Sequence, residues 1–370
     1  MTRPIPTDSS DAVTLWREFC ETLRETGEAA LTTATIHDEV TRAEGVRYLS
    51  RIARAALEWY VEFNDPEFPV FYKPSHETIK IGADNPDNLY LKAVIDGRYD
   101  YVITGHRGSV DYLSFASSKG SYAKNFKQIE TGFIDSKDLQ IDGQGRFEIV
   151  VSQTPHDGNW LAIDEASESI LIRQTFLNRA QETPAELQIA RRDRGVSPAT
   201  MSMAQARVQF QTASNFYRNT ITLFADWSRQ MFEQPNVLQP WDQAFCHSVG
   251  GDPNIFYYHG AFQLADDEAL VIDVPEIPVC QTWNIQIDNY WMESLDYRYE
   301  RISVNRHTAQ TNDDGSVTLV LSHQPINHPN RLSTAGHETG TLSFRWVGAE
   351  QIIHPQARLV KIADLEEALT

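Results

Sequence analysis

The hydrophobic positions of this chain change period several times, and each change predicts a different kind of element. From 11 to 31 Leu15, Phe19 and Leu23 recur every four residues, and Asp11 after two serines offers a cap. From 36 to 63 Val40, Val46, Leu49, Ile52, Ala53, Ala56, Leu57 and Tyr60 keep the helical spacing until Asn64-Asp65-Pro66 stops it. Both stretches predict helices. The period then drops to two. In KAVIDGRYDYVITG, Val94 and Ile95 precede Asp96-Gly97, and Tyr99, Tyr101 and Ile103 alternate with Asp100, Val102 and Thr104. Asp-Gly between two such runs is a strong hairpin signal. The other reading of the charged break is a loop beside a ligand pocket.

Short strand-like runs continue at 146–152, 160–163, 169–177 and 185–191. Helical spacing returns at 199–233 through Val208, Phe210, Ala213, Phe216, Tyr217, Ile221, Phe224 and Trp227. From 255 onward strands resume, with Asp313-Asp314-Gly315 as a second hairpin signal. The pattern predicts a mainly β fold with helical additions. Its expected parts are an N-terminal helical segment (1–65), a first β unit (66–197), a central helical segment (198–240) and a C-terminal β unit (241–370). This order suggests two related units, although no tandem repeat is legible in the residues themselves.

Composition narrows the function. The 370 residues suit two domains of ordinary size, and 41% hydrophobic with 22% charged is globular. A net charge of −19 opposes nucleic acid and anionic membrane as partners. Cys20, Cys246 and Cys280 are few, distant and odd in number, which fits no disulfide framework or zinc knuckle. No run approaches the roughly 18 apolar residues of a membrane span, and MTRPIPTDSSDAV has no stretch of signal-peptide length. A cytoplasmic setting is expected.

Candidate chemistry concentrates in the C-terminal half. On TWNIQID, Trp283, Ile285 and Ile287 share one face, and Asn284, Gln286 and Asp288 the other. That polar face is either open to solvent or the wall of a cleft. Asn305 and His307 lie two apart and share a face if their strand is regular. His307 beside Asp288 would be an acid or base held in one tautomer, with Trp291 nearby. A strand-capping structural histidine is the alternative. His323, His328 and His337 lie in a loop-rich stretch, but their spacing matches no standard metal motif, so no metal is expected. Arg98, after the Asp-Gly turn, is either an anion clamp or the partner of Asp96 or Asp100. Arg173 and Arg345 each interrupt an apolar strand, so each needs a partner or must point outward. No GxSxG elbow, P-loop, GxGxxG or HExxH occurs, and no nucleotide cofactor is expected.

The block WNIQIDNYWMESLDYRYERISVNRHTAQTNDDGSVTLVLSHQPINHPNRLSTAGHETGTLSFRW resembles the DUF1214 family, often paired with DUF1254-like chains. NPDNLYLKAVIDGRYDYVITGHRG and DGNWLAIDEASESILIRQTFLNRAQETPAEL look like the upstream region of that family, so the resemblance covers most of 40–365. Such proteins often carry Trp after Pro-Asn, where this chain has Arg331. The resemblance implies β-sandwich or jelly-roll-like units with helical additions, and no particular chemistry. The expected function is acid–base chemistry on a small, largely apolar molecule (a terpenoid, steroid or aromatic compound). The alternative is a small-molecule or carbohydrate-binding protein without turnover, and a homo-oligomer is also possible. The residues expected to act are His307, Asp288 and His337. Those expected to bind ligand are Arg98, Tyr101, Trp291, Asn305, Asn330 and Arg345.

Overall fold

The computed structural model describes residues 10–35, 38–193, 195 and 197–369. Helix α1 (Ser10–Thr33) buries Leu15, Phe19, Thr22, Thr26 and Ala30, three or four apart, on one stripe. Helix α2 (Glu39–Leu57) starts where the Asp38 carboxylate accepts the Thr41 N–H. Residues 36 and 37 of the expected helix lie outside the described residues. The last turn of α2 widens into a π turn, Glu58–Glu62, before the chain leaves for the strands.

Eight strands follow: β1 (Asn88–Val94), β2 (Tyr101–His106), β3 (Tyr112–Lys119), β4 (Ile129–Asp135), β5 (Arg146–Ser152), β6 (Trp160–Ala162), β7 (Ser169–Thr175) and β8 (Glu186–Arg191). They form two sheets, β1-β7-β3-β4 and β6-β5-β2-β8. Ile103, Leu113, Phe115, Ile149, Ile170 and Ile172 fill the space between them. Helix α3 (Met203–Met231) begins in a capping box, Ser202 with Gln205. Then come β9 (Val237–Pro240), α4 (Gln243–Ser248), β10 (Ile255–Gln263), β11 (Glu268–Val274), β12 (Thr282–Asp288), β13 (Ser303–Asn305), β14 (Val317–Ser322), β15 (Arg331–Ser333), β16 (Thr339–Val347), β17 (Gln356–Lys361) and α5 (Leu365–Ala368). Their sheets are β13-β12-β16-β10-β9 and β15-β14-β11-β17. Tyr258, Ile285, Leu319, Phe344 and Trp346 are among the residues packed between these two. The fold is mainly β with helical additions. No helix among the described residues is long and apolar enough to cross a membrane.

The two units are copies of one design. An offset of 170 residues carries β3 onto β12, β5 onto β14, β7 onto β16 and β8 onto β17. The sheet orders then coincide, with β9 as an added edge strand. Small polar clamps repeat as well. Asn159 Nδ2 donates to the Gln140 and Glu148 carbonyls, and its Oδ1 accepts the Gln140 N–H. Asn330 does the same with the Gln310 and Thr318 carbonyls and the Gln310 N–H. Ser152 and Ser322 each donate to the carbonyl two residues on. The hydrophobic identities between the copies have drifted while these hydrogen bonds remain, so no repeat shows in the residue string.

Both hairpin expectations are corrected. β1 pairs with β7, and β2 pairs with β5 and β8, so Asp96-Gly97 carries the chain from one sheet to the other. Asp313–Gly315 likewise lies between β13 and β14, which belong to different sheets. Turn chemistry specifies a local reversal; it does not choose the strand's partner. Gly97 is needed for another reason. Its N–H donates to the Ser167 carbonyl, and an added Cβ would lie 2.0 Å from the Asp164 carbonyl oxygen. Gly97→Ala is therefore expected to destabilise the first unit by about 3 kcal/mol, the upper part of the usual overpacking range. Gly143→Ala, where a Cβ meets nothing within 4 Å, is the control. Equal urea midpoints for the two variants would show the close approach to be unimportant.

Candidate functional site

The polar face of β12 does not meet water. Asn284, Gln286 and Asp288 are all buried, as are Thr341, Ser343 and Arg345 beside them on β16. Pairing sets these in rows that continue onto β10: Asn284–Arg345–Tyr257, then Gln286–Ser343–His259. The alternation read from the sequence is correct, and of the two readings of its polar face burial excludes the open, solvated one. It is covered because residues 83–87 lie across it. Arg345 donates to the Ala83 carbonyl at 2.6 Å and to Gln286 Oε1 at 2.6 Å. Gln286 donates to the Asp84 carbonyl, and Asn284 to Asn85 Oδ1. Every buried amide and guanidinium on this face thus has a partner, as burial requires.

The first unit turns a similar face inward. On β1, Asn88, Tyr90 and Lys92 share one side, and Arg173 on β7 lies opposite Tyr90. Arg173 donates to the Gly250 carbonyl at 2.5 Å and lies 3.7 Å from Asp252, whose side chain is wholly buried. Tyr112 and Ser114 also donate to Asp252, at 3.4 Å each.

Between these faces and the helices lies a cavity of about 160 Å³. Trp59, Tyr90, Tyr122, Phe224, Trp227 and Tyr257 supply aromatic wall, while Lys92, Arg173 and Arg345 supply cations. A second pocket of about 320 Å³ shares Gln128, Leu171, Arg173, Gly250 and Gly251 with it and reaches the exposed Ile129 and Glu130. Burial pushes the Lys92 ammonium down to about 8. Burial, aided by Arg345, pushes His259 down to about 3, so its ring is neutral in the cavity wall. Asp84 also lines the cavity, and burial raises its carboxyl to about 6. Ser294 donates to both oxygens of Asp84.

Of the residues singled out in the sequence, Arg173 and Arg345 line this cavity. Asp288 shares its buried face but not the cavity wall; burial raises it to about 7, and its Oδ2 finds no hydrogen-bond partner. The Asp288–His307 pairing is contradicted. β12 and β13 are antiparallel with Asn284 opposite Asn305, which puts His307 level with Thr282. Six strand positions, about 20 Å, separate the two levels. His307 is exposed and meets Asn178 Nδ2 at 3.2 Å. Asn305 holds its own turn by accepting the N–H groups of His307 and Thr308. Trp291 stacks on Tyr48 and donates to the Thr41 carbonyl, as a wedge between β12 and α2. Tyr101 is a core residue whose hydroxyl donates to the Pro66 carbonyl. Arg98 is exposed and bonded to Asp96, the surface pair that was one of its two readings. Asn330 is the clamp that Asn159 duplicates. Arg331 donates to the Gln324 carbonyl and does not touch the cavity. His323 and His328 have separate local partners, and no cluster of three or more metal-ligating side chains exists among the described residues.

His337 is buried, with Nδ1 2.9 Å from the Thr334 carbonyl and Nε2 2.9 Å from Glu44 of α2. Asn289 bridges Glu44 to Glu293, which Arg51 neutralises at 2.7 Å. Burial opposes charge on both His337 and Glu44, but their contact prevails, so His337 is raised and Glu44 lowered. The contribution of His337 is full below about 6.5 and is lost as pH climbs through its raised value. That of Glu44 is present above about 4.5 and lost as pH falls through its lowered value. Wild type should exceed His337→Gln most clearly between these limits. The gap in urea midpoint should shrink on going from pH 5.5 towards 9, and a gap constant with pH would remove the ion pair from the account.

Residues 262–351 match the family described as "Protein of unknown function (DUF1214)". The chain belongs to the DUF1214 family. A crystal structure of an uncharacterised protein from Burkholderia cenocepacia is 52% identical to it, with 94% of this chain and 97% of that one covered and a TM-score of 0.93. The VPA0106 protein from Vibrio parahaemolyticus is 14% identical over 85% of this chain and 97% of its own, with a TM-score of 0.50, a likeness of fold alone. No protein with a curated description matches. The DUF1214 match spans β11 to β16. The cavity of this DUF1214 chain draws many of its walls from residues upstream of that match, Lys92 and Arg173 among them.

Sequence reasoning missed Lys92, Asp252, Asp84 and His259. A signal existed for two of them. Asn88, Tyr90 and Lys92 alternate with Leu89, Leu91 and Ala93, and Tyr257 and His259 share a face of β10. A polar row opposite an apolar row fits an open face as well as a covered one, and here a second layer covers it.

Proposed function

We propose that the seam cavity binds a small, largely apolar molecule that carries a ring and an anionic group. The carrying observation is the lining itself: aromatic walls with Lys92, Arg173 and Arg345. Ligand sites are typically mostly apolar with a few placed polar groups. Binding is favoured over turnover by acid–base chemistry, because the expected acid–base pair is split. Turnover is the second reading, favoured by the neutral His259 imidazole in the wall. A cytoplasmic setting fits either, since Cys20, Cys246 and Cys280 are unpaired.

Trp59 and Trp227 make occupancy visible. Titration with 3-phenylpropionate should change tryptophan emission saturably. 3-Phenylpropanol should bind about tenfold more weakly or worse, since hydrogen bonds to charged groups contribute roughly 1.5–3 kcal/mol. Leu171→Trp, which fills the cavity, should abolish the response. A response absent in wild type, or unchanged in Leu171→Trp, would overturn the reading.

A further inference from the structure

We propose that Lys92 is a covalent carbonyl-binding residue, forming an imine with an aromatic oxo acid whose carboxylate Arg173 receives. This rests on the reading of the seam cavity as a ligand site. Lys92 lies in the cavity wall on a central stretch of β1, with 8% of its surface exposed. Its ammonium lies 5.1 Å from the centre of the Trp59 ring. A largely buried lysine that faces a ring and no carboxylate is costly as a structural element. Glu168 is the charged group that favours its protonated form, and Glu168 is itself paired with Lys124. The low-dielectric setting therefore leaves about a tenth of the amine neutral at pH 7 and about half at pH 8, and the neutral form is the one that attacks a carbonyl.

The neighbours fit that chemistry. Leu171 is opposite Lys92 and Tyr90 is opposite Arg173, so Lys92 and Arg173 are diagonal neighbours on one face. Their side chains enter the same cavity. Arg173 keeps donors beyond the one given to Gly250, and a guanidinium suits a carboxylate. Tyr90 lies between them, and its hydroxyl accepts from the Asn85 N–H and Asn88 Nδ2, each at 3.1 Å. Its own proton is thus available to a leaving group. In the step, the amine lone pair attacks the carbonyl carbon and the oxygen takes a proton from nitrogen. The resulting hydroxyl leaves as water with the Tyr90 proton, and the remaining nitrogen proton returns to Tyr90. Amine and ketone give imine and water, with no oxidant or reductant.

The test uses phenylpyruvate and sodium borohydride on the full chain, with peptide mass spectrometry. The expected result is one stable adduct per chain, on the peptide containing Lys92. Lys92→Met should give none, and excess 3-phenylpropionate, which lacks the carbonyl, should suppress it in wild type. Displacement of 3-phenylpropionate by phenylpyruvate without an adduct on Lys92 would overturn the imine while leaving the binding reading intact. Adducts scattered over exposed lysines, with Lys92 unmodified, would overturn it too. Failure of both acids to enter the cavity would overturn both readings.

Discussion

Asp288→Asn should leave the protein more stable than wild type at pH 8 and little changed at pH 4. Asp288 is wholly buried, and burial raises its carboxyl from 3.8 to about 7. Gln286 Nε2 donates to its Oδ1 at 2.5 Å, the buried Asp84 opposes its charge, and Oδ2 has no partner. A carboxyl whose folded value is raised contributes stability that is full below the unfolded value and is lost as pH climbs to the folded value. At about 1.4 kcal/mol per pH unit, the loss between pH 4 and pH 7 is on the order of 4 kcal/mol. Asparagine keeps the acceptor for Gln286 and never ionises. Asp84 titrates in the same sense, so the variant's curve should be shallower rather than flat. Urea midpoints of both proteins at pH 4, 6 and 8 decide the matter. Parallel curves would mean that Asp288 is not the titrating group.

That prediction begins with an alternation visible in TWNIQID, and it shows where sequence reading stopped. Period two correctly divided Trp283, Ile285 and Ile287 from Asn284, Gln286 and Asp288. Whether a polar face is wet depends on what packs against it. Here that is a segment some 200 residues upstream, Ala83 to Asp87, reached through Arg345, Gln286 and Asn284. The helices were legible because their signal is local: apolar stripes repeating every turn, and Asn64-Asp65-Pro66 as a stop. The sheets were not, because Asp96-Gly97 turns the chain without saying which strand it meets next.

The site was partly legible for the same reason. Arg173 and Arg345 stood out as charges breaking apolar runs, and both reached the cavity because a buried guanidinium must be satisfied. His307 stood out as a histidine near a carboxylate in sequence, and antiparallel pairing carried it to the far end of the strand. Asn330 looked like a ligand contact until its counterpart Asn159 showed the same clamp. An amide that the fold uses in both copies needs no ligand to account for it.

Arg173→Met should be the most damaging single change on the seam. Arg173 and Asp252 have side chains 8% and 0% exposed and lie 3.7 Å apart. Burial opposes the charge on Arg173, and Asp252, joined by Tyr257, Tyr90 and Tyr112, more than offsets it. Methionine fills much of the space but leaves the Gly250 carbonyl without that donor and Asp252 without its countercharge. Tyr112, Ser114 and the Asn254 N–H still donate to the carboxylate, but none is an ion. Breaking a buried pair from one side typically costs roughly 3–5 kcal/mol, because the remaining charge stays buried. Arg173→Met with Asp252→Asn removes that charge and should recover a large part of the loss. The double-mutant cycle reads the coupling directly in urea midpoints. If Asp252→Asn adds its own destabilisation to that of Arg173→Met instead, the two residues are not coupled, and the electrostatic account of the seam fails.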